Sequence, residues 1–208
     1  MMNKHLPWIL RKYFIMGSQN CKSDPVEILK KAAEAGITAF QFREKGEGSL
    51  SGDAKLELGK KLRDVCQQYK IPFIVNDDMY LVDQLEADGI HIGQDDLSAK
   101  GLRKHFPNKI IGLSVSNANE VAKSPTSLVD YIGAGPVFDT STKADAKLAV
   151  GLEWITSLRK QFPELPIVGI GGITSANAAS VIEAGADGVS VISAITKADN
   201  IKNAVNGL

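Results

Sequence analysis

The chain has 208 residues, 24 basic and 24 acidic side chains, 44% hydrophobic residues and 23% charged ones. Length and composition of this kind describe one globular domain and exclude bulk disorder. A net charge of zero excludes a global field for nucleic acid or an anionic membrane, so an anionic ligand must be gripped by locally placed cations. Cys21 and Cys66 stand far apart with no CxxC spacing, which suggests neither a disulfide framework nor a zinc site and points to a reducing compartment. No apolar run approaches the roughly 20 residues of a membrane span, and the start of the chain lacks a signal-peptide core. A cytoplasmic protein is expected.

Residues 1–12 read as a short extension that caps the domain, and residues 13–208 as the domain itself. The first apolar run is 13–16. Asp24, Pro25 and Glu27 then supply an N-cap, a first-turn proline and a capping-box acid, and Gly36 supplies the stop. A second run, 39–43, leads to a helical pattern over 56–69 with Leu58, Leu62, Val65 and Tyr69 on one face. Runs at 73–76, 89–92 and 110–115 follow, then the capping-box pair Asn117 and Glu120, a run at 131–134, and a helix over 151–162 carrying Trp154, Ile155 and Leu158. The run 166–170, a helix over 175–184 capped by Thr174, and the run 188–192 complete the chain. Near-continuous hydrophobicity in such short runs marks buried parallel strands.

Three helix-to-strand junctions repeat one phrase: Glu34-Ala35-Gly36-Ile37, Glu86-Ala87-Asp88-Gly89 and Glu183-Ala184-Gly185-Ala186-Asp187-Gly188. Eight strand-helix units of roughly 26 residues each, with a short strand, a helix and two short loops, predict a single-domain α/β fold, the (β/α)₈ TIM barrel. A doubly wound open sheet is the alternative, but no G-x-G-x-x-G fingerprint follows the first strand.

In a barrel the chemistry lies just after each strand. Period-two alternation puts Gln41, Arg43 and Lys45 on one side of the second strand and Phe40, Phe42 and Glu44 on the other, so the polar set is expected at the mouth, where two cations could meet a phosphate. Asn76-Asp77-Asp78 ends strand three, and His91 to Asp96 runs out of strand four. Asp77 and Asp96 can point at one spot and offer the hard oxygens that Mg²⁺ accepts. Helix capping is the competing reading of both aspartates, and His91 reads as a packed core histidine. Ser114 brings a hydroxyl from strand five, and the loop after strand six carries Thr140, Ser141, Thr142 and Lys143. Gly171 and Gly172 after strand seven, with the small-residue turn Ile192-Ser193 after strand eight, form a pattern suited to cradling phosphate through bare amides.

Taken in order, Gln41-Phe42-Arg43-Glu44-Lys45, Asn76-Asp77-Asp78, His91 to Asp96, Gly112-Leu113-Ser114, Thr140 to Lys143, Gly169 to Thr174 and Ile192 to Ile195 resemble the thiamine-phosphate synthase family over almost the whole chain. The resemblance implies a Mg²⁺-dependent transferase of thiamine biosynthesis. It would join a pyrimidine methyl pyrophosphate to hydroxyethylthiazole phosphate, with pyrophosphate departing to leave a resonance-stabilised pyrimidine cation that the thiazole nitrogen traps. It further implies that Gln41, Phe42, Arg43, Glu44, Lys45, Asn76, Ser114 and Lys143 hold the pyrimidine pyrophosphate, with Arg43, Lys45, Ser114 and Lys143 acting on its departure. Asp77 and Asp96 would ligate Mg²⁺, and Thr140, Ser141, Thr142, Gly172, Ile192 and Ser193 would hold the thiazole phosphate. Its partners would be small phosphorylated heterocycles, not nucleic acid or membrane, with a homo-oligomer admitted. Members often carry histidine two residues after Ser114, where this chain has Ser116; related thiazole tautomerases use a histidine in that segment, so its absence argues against a tautomerase, and the retained cations and aspartates argue for a synthase. A phosphosugar isomerase on the same barrel would share the glycine cradle but needs an acid-base pair and leaves Arg43, Lys45 and Lys143 together without a role. A catalytically silent relative is the third alternative, disfavoured because no proposed site position is lost.

Overall fold

The computed structural model describes residues 6–94, 98–140, 142 and 148–208. Its strands are β1 (Lys12–Met16), β2 (Ala39–Phe42), β3 (Phe73–Asn76), β4 (Gly89–Ile92), β5 (Ile110–Val115), β6 (Tyr131–Ala134), β7 (Ile167–Ile170) and β8 (Gly188–Val191). Every neighbour is parallel, and β8 returns to β1 to close the barrel. Around it run α1 (Leu6–Ile9), α2 (Pro25–Glu34), α3 (Gly52–Gln68), α4 (Met79–Gln84), α5 (Ala99–His105), α6 (Ala118–Lys123), α7 (Leu152–Gln161), α8 (Ala178–Glu183), α9 (Ser193–Thr196) and α10 (Ile201–Asn206).

Local signals account for most of these bounds. Asp24 accepts the Val26 amide at 3.0 Å with Pro25 in the first turn of α2, and Asn117 accepts the Glu120 amide at 3.0 Å at the start of α6. Two helices depart from expectation. The third begins at Gly52 behind Ser51, ahead of the apolar stripe that its polar first turn conceals from periodicity. The eighth begins at Ala178, not at 175, because Asn177 accepts the Thr174 amide at 2.8 Å and donates to the Gly172 carbonyl at 3.1 Å. An asparagine that satisfies backbone groups locally holds a turn in place of a helical start.

The barrel separates two apolar regions. Outward residues such as Phe14, Phe40, Phe42, Phe73 and Val75 pack under the helices, with the Phe40 and Phe73 rings 5.7 Å apart. Inward, Tyr13, Ala39, Ile74, Tyr131 and Val168 form a separate cluster that Leu6 and Leu10 plug from below. The plug fits because Gly188 has no side chain: a Cβ there would lie 2.0 Å from the Leu10 carbonyl oxygen.

The lower rim is laced by one recurring device. Asp88, Asp130 and Asp187 each precede an even-numbered strand and accept, at 2.8 Å, an amide near the start of the strand before it, from Phe73, Ile111 and Ile167 respectively. Each is met by an arginine from the helix that leads into that earlier strand, α3, α5 or α7: Arg63 at 3.3 Å, Arg103 at 2.6 Å, and Arg159 in a shorter contact. Thr38 plays the uncharged version, accepting the Lys12 amide at 2.8 Å. Asp88 and Asp187 lie inside two of the repeated sequence phrases and Thr38 directly follows the third, so their recurrence reflects a rim clamp used at these junctions.

Arg159 also donates to the carbonyls of Gly185, Phe162, Pro163 and Leu165, so its loss would free several groups at once. Asp187→Ala should destabilise the fold by about 2–4 kcal/mol, since it leaves a partly buried guanidinium and the Ile167 amide without their acceptor. Urea unfolding should show a lower midpoint with an unchanged slope, and the mutant should keep its turnover at 25 °C because the clamp lies at the end opposite the mouth.

Candidate active site

The C-terminal ends of the strands enclose a cavity of about 250 Å³. Of the residues singled out in the sequence, Gln41, Arg43, Lys45, Asn76, Asp77, Ser114, Thr140, Thr142, Gly172, Ile192 and Ser193 line it. Phe42 and Glu44 are not among its walls: the strand's alternation sends them to the other side, Phe42 into the outer core and Glu44 into the loops. Asp96, Ser141 and Lys143 lie outside the described residues.

Glu44 has a structural task of its own. Its carboxylate accepts the Ser18 amide at 2.7 Å, the Ser18 hydroxyl at 2.5 Å and the Leu50 amide at 2.7 Å, tying the loops after β1 and β2 together. Gln19 completes the support by donating to the carbonyls of Arg43 at 2.9 Å and Lys45 at 3.1 Å. With the backbone held from outside, the side chains of Arg43 and Lys45 are left facing the mouth. Ser18 and Gln19 carried no sequence signal, because the groups they serve are 24 to 26 residues away.

Asp77 adopts φ 60°, a left-handed conformation that aspartate tolerates better than most residues. Its amide still pairs with the His91 carbonyl at 2.9 Å, and the turn of the chain delivers its carboxylate to the cavity, where Lys45 Nζ lies 2.5 Å away. Asp78 occupies the cap position of α4 but its side chain accepts no cap bond, meeting Lys55 at 3.0 Å instead. Capping therefore explains neither Asp77 nor the Asp78 carboxylate.

On the side of β7 and β8, Gly171 and Gly172 have φ 99° and 64°. Side chains are excluded there: a Cβ on Gly171 would meet Pro136 at 2.4 Å, and one on Gly172 would meet the Asp139 carbonyl oxygen at 2.6 Å. Thr142 donates to the Ser193 hydroxyl at 3.2 Å, and the Thr142 amide reaches the Thr140 hydroxyl at 3.3 Å. Three hydroxyls and bare glycine backbone thus share one wall of the cavity, a surface that can hydrogen-bond an anion.

The floor is polar and largely buried. Gln41 Nε2 donates to the Tyr13 hydroxyl at 2.8 Å, the Tyr13 and Tyr131 hydroxyls are 2.9 Å apart, Tyr131 meets His91 Nδ1 at 2.9 Å, and His91 Nε2 meets Ser114 Oγ at 2.8 Å. Burial pushes both phenols well above the usual tyrosine range, so they remain protonated. His91 is a satisfied interior histidine, as expected, but it also lines the cavity. Tyr13 and Tyr131 escaped the sequence reading because each looks like an ordinary apolar strand residue, and they meet only across 118 residues of chain. At the Ser116 position the amide donates to Glu120 at 2.7 Å. Cys21 is half-buried with its thiol pushed up to about 11 by burial and the nearby Glu44 and Asp24 carboxylates, and Cys66 is buried; both are free thiols.

A closed parallel barrel with paired cations on one side of its mouth and a bare-backbone anion wall on another defines a phosphate-handling (β/α)₈ enzyme. The family model described as thiamine monophosphate synthase matches residues 12–195. A thiamine-phosphate synthase from Oceanobacillus iheyensis is 65% identical over 206 residues, covering 99% of this chain and 98% of that protein. The solved thiamine phosphate pyrophosphorylase from Pyrococcus furiosus superimposes with a TM-score of 0.85 at 33% identity, covering 98% of this chain and 95% of that one. A 3-hexulose-6-phosphate synthase shares the fold alone, at 15% identity and a TM-score of 0.64, with coverage of 95% and 97%. The chain belongs to the thiamine-phosphate synthase family.

The floor depends on the missing side chain at Gly112, where a Cβ would lie 2.1 Å from Tyr131 Cζ and 2.4 Å from its hydroxyl. Gly112→Ala should therefore displace the Tyr131 ring and cost about 1–3 kcal/mol or more, as overpacking of a filled interior does. Thermal unfolding of the purified variant beside the parent measures this, and an unchanged Tm would show that the ring has room to move.

Proposed function

We infer that this chain condenses 4-amino-2-methyl-5-(diphosphomethyl)pyrimidine with hydroxyethylthiazole phosphate to give thiamine phosphate and pyrophosphate. The observation that carries this reading is the pair of anion-ready corners in one cavity: Arg43 and Lys45 beside Asp77 after β2 and β3, and Gly171, Gly172, Thr142 and Ser193 around β7 and β8. A reaction between two phosphorylated substrates needs two such corners, and a phosphosugar isomerase needs one. No helix among the described residues is long and apolar enough to cross a membrane, and the reading is of an enzyme acting on small molecules in the cytoplasm.

In this reading the bond between the pyrimidine methylene carbon and the pyrophosphate oxygen breaks, its electron pair leaves with pyrophosphate, and the thiazole nitrogen lone pair forms the new C–N bond. No protein nucleophile and no net proton transfer are required. Arg43, Lys45 and Lys143 offset the charge that grows on the leaving group, the effect most useful in a water-poor site. Gln41, Asn76 and Ser114 hold the pyrimidine half. Gly172, Ile192, Ser193 and the hydroxyls of Thr140, Ser141 and Thr142 hold the thiazole phosphate, which keeps the two anions in separate corners until the neutral ring nitrogen meets the cationic carbon.

Mg²⁺ fits the donor set. Among the described residues no group of three ligating side chains forms a ready cage, while Asp77 brings a hard carboxylate to the cavity. A cation held by one or two carboxylates and completed by substrate phosphate oxygens is the usual Mg²⁺ arrangement. Asp77 and Asp96 would hold it, and when bound it supplies further charge neutralisation at the pyrophosphate.

Incubating the protein with both phosphorylated heterocycles and Mg²⁺ should yield thiamine phosphate by mass spectrometry, and absence of that product would overturn the assignment. EDTA should abolish turnover. Asp77→Asn should lower kcat by roughly 10²-fold or more, the scale of losing one electrostatic stabiliser, with the urea midpoint unchanged; near-normal Mg²⁺-dependent turnover in this variant would remove Asp77 from the metal site.

The separate corners make a second prediction. Gly172→Val should raise the KM for thiazole phosphate by roughly tenfold or more and the pyrimidine KM by much less, because the new side chain pushes against Phe138 and the Asp139 carbonyl beside the thiazole phosphate corner. Equal effects on both substrates would count against separate subsites.

A further inference from the structure

The floor chain has a direction. An amide nitrogen can only donate, so the Tyr13 oxygen accepts from Gln41 Nε2 at 2.8 Å and must pass its own single proton onward. Tyr131, 2.9 Å away, receives it, and passes its own to His91 Nδ1 at 2.9 Å. That nitrogen is therefore bare, and a neutral ring carries its proton on Nε2, which donates to Ser114 Oγ at 2.8 Å. A doubly protonated ring would turn an N–H toward the Tyr131 proton and leave it without an acceptor. The chain is buried up to its last link: Tyr13, Tyr131 and Gln41 are at most 2% exposed and His91 8%, and Ser114 is partly exposed. The links between Gln41, Tyr13, Tyr131 and His91 are buried, so water does not replace them without opening the floor.

The consequence appears at the two ends that line the cavity. With one Nε2 hydrogen held by Tyr13, the Gln41 amide is fixed in the orientation that makes its oxygen the acceptor at this end. With its oxygen receiving from His91, Ser114 is left with a proton to give. We propose that Tyr13, Tyr131 and His91 are positioning residues that lock these two ends into opposite polarity, so that the floor selects a heterocycle presenting both an amino donor and an unprotonated ring nitrogen, and rejects its oxo counterpart, which presents a carbonyl and a ring N–H. Reversing the floor requires all four hydrogen bonds to reverse together, which a single side chain accepting or donating alone would not require. The proposal rests on the reading that a pyrimidine pyrophosphate occupies this cavity, and it assigns a specificity role to two tyrosines that do not need to touch the reacting atoms.

Two measurements test it. The chain has only three histidines, so ¹⁵N-histidine labelling with NMR at neutral pH resolves the His91 ring directly, with or without substrate. Protonated Nε2 and bare Nδ1 are expected; the opposite tautomer would overturn the direction of the chain. In kinetics, the ratio of kcat/KM for the aminopyrimidine pyrophosphate over its 4-oxo analogue should be large in the parent, as it is where a buried polar pair would otherwise be left unmatched. Tyr131→Phe and Tyr13→Phe cut the chain at different links and free the two ends from each other. Each should lower that ratio by at least about tenfold, at a scale of one or two lost polar matches. Variants that slow both substrates equally, leaving the ratio unchanged, would reduce the tyrosines to packing and refute the proposal. Failure of the parent to turn over the aminopyrimidine would instead strike the functional reading, and the tautomer measurement on the free protein would still decide the chain's direction.

Discussion

Closure of eight parallel strands into a ring governs the rest of this molecule, because it sorts every strand residue into one of two environments by parity alone. Alternate residues on a strand enter a narrow interior that must be filled, and the residues between them meet the helices. On β2 this sorting puts Gln41 and Arg43 inside and Phe40 and Phe42 outside. A register slip of one residue would bury Arg43 under helices and open phenylalanines to the cavity, so hydrophobic burial of roughly 1.5–3 kcal/mol per large side chain holds the catalytic face in place.

Filling the interior creates a polar problem as well as an apolar one. The lowest layer is plugged by Leu6, Leu10, Ile74 and Val168, but the layer above carries hydroxyls, an amide and an imidazole with little access to water. Such groups are costly unless each finds a partner. Here they find one another in sequence from Gln41 to Ser114, which turns a burial cost into a rigid, oriented floor. The glycines at 112 and 133 make this feasible: Tyr131 occupies the space beside the first, and the His91 ring lies 3.1 Å from where a Cβ of the second would stand.

Stability and chemistry are placed at opposite ends of the barrel. The arginine-aspartate clamps lace the lower rim, where their loss costs stability, while the upper rim keeps its cations beside ligand space. A protein with no net charge can still handle two polyanions in this way, since what matters at a distance of a few ångströms is the local arrangement and not the sum.

By itself the sequence determined the elements and much of the mouth. The strand runs, the Asp24 and Asn117 caps, the parity of Gln41, Arg43 and Lys45, and the left-handed glycines of β7 are all local facts, written in periodicities of two and 3.6 or in the conformational freedom of glycine. What the tertiary structure alone decided are relations between distant residues. These include Glu44 serving Ser18 and Leu50, Asn177 displacing Thr174 as the start of α8, the arginine partners of Asp130 and Asp187, and above all the meeting of Tyr13, Tyr131 and His91. Those contacts follow from strand register and barrel closure, which bring together side chains whose local patterns carry no mark of one another; a tyrosine in an apolar run reads as packing until the ring closes and gives its hydroxyl a neighbour.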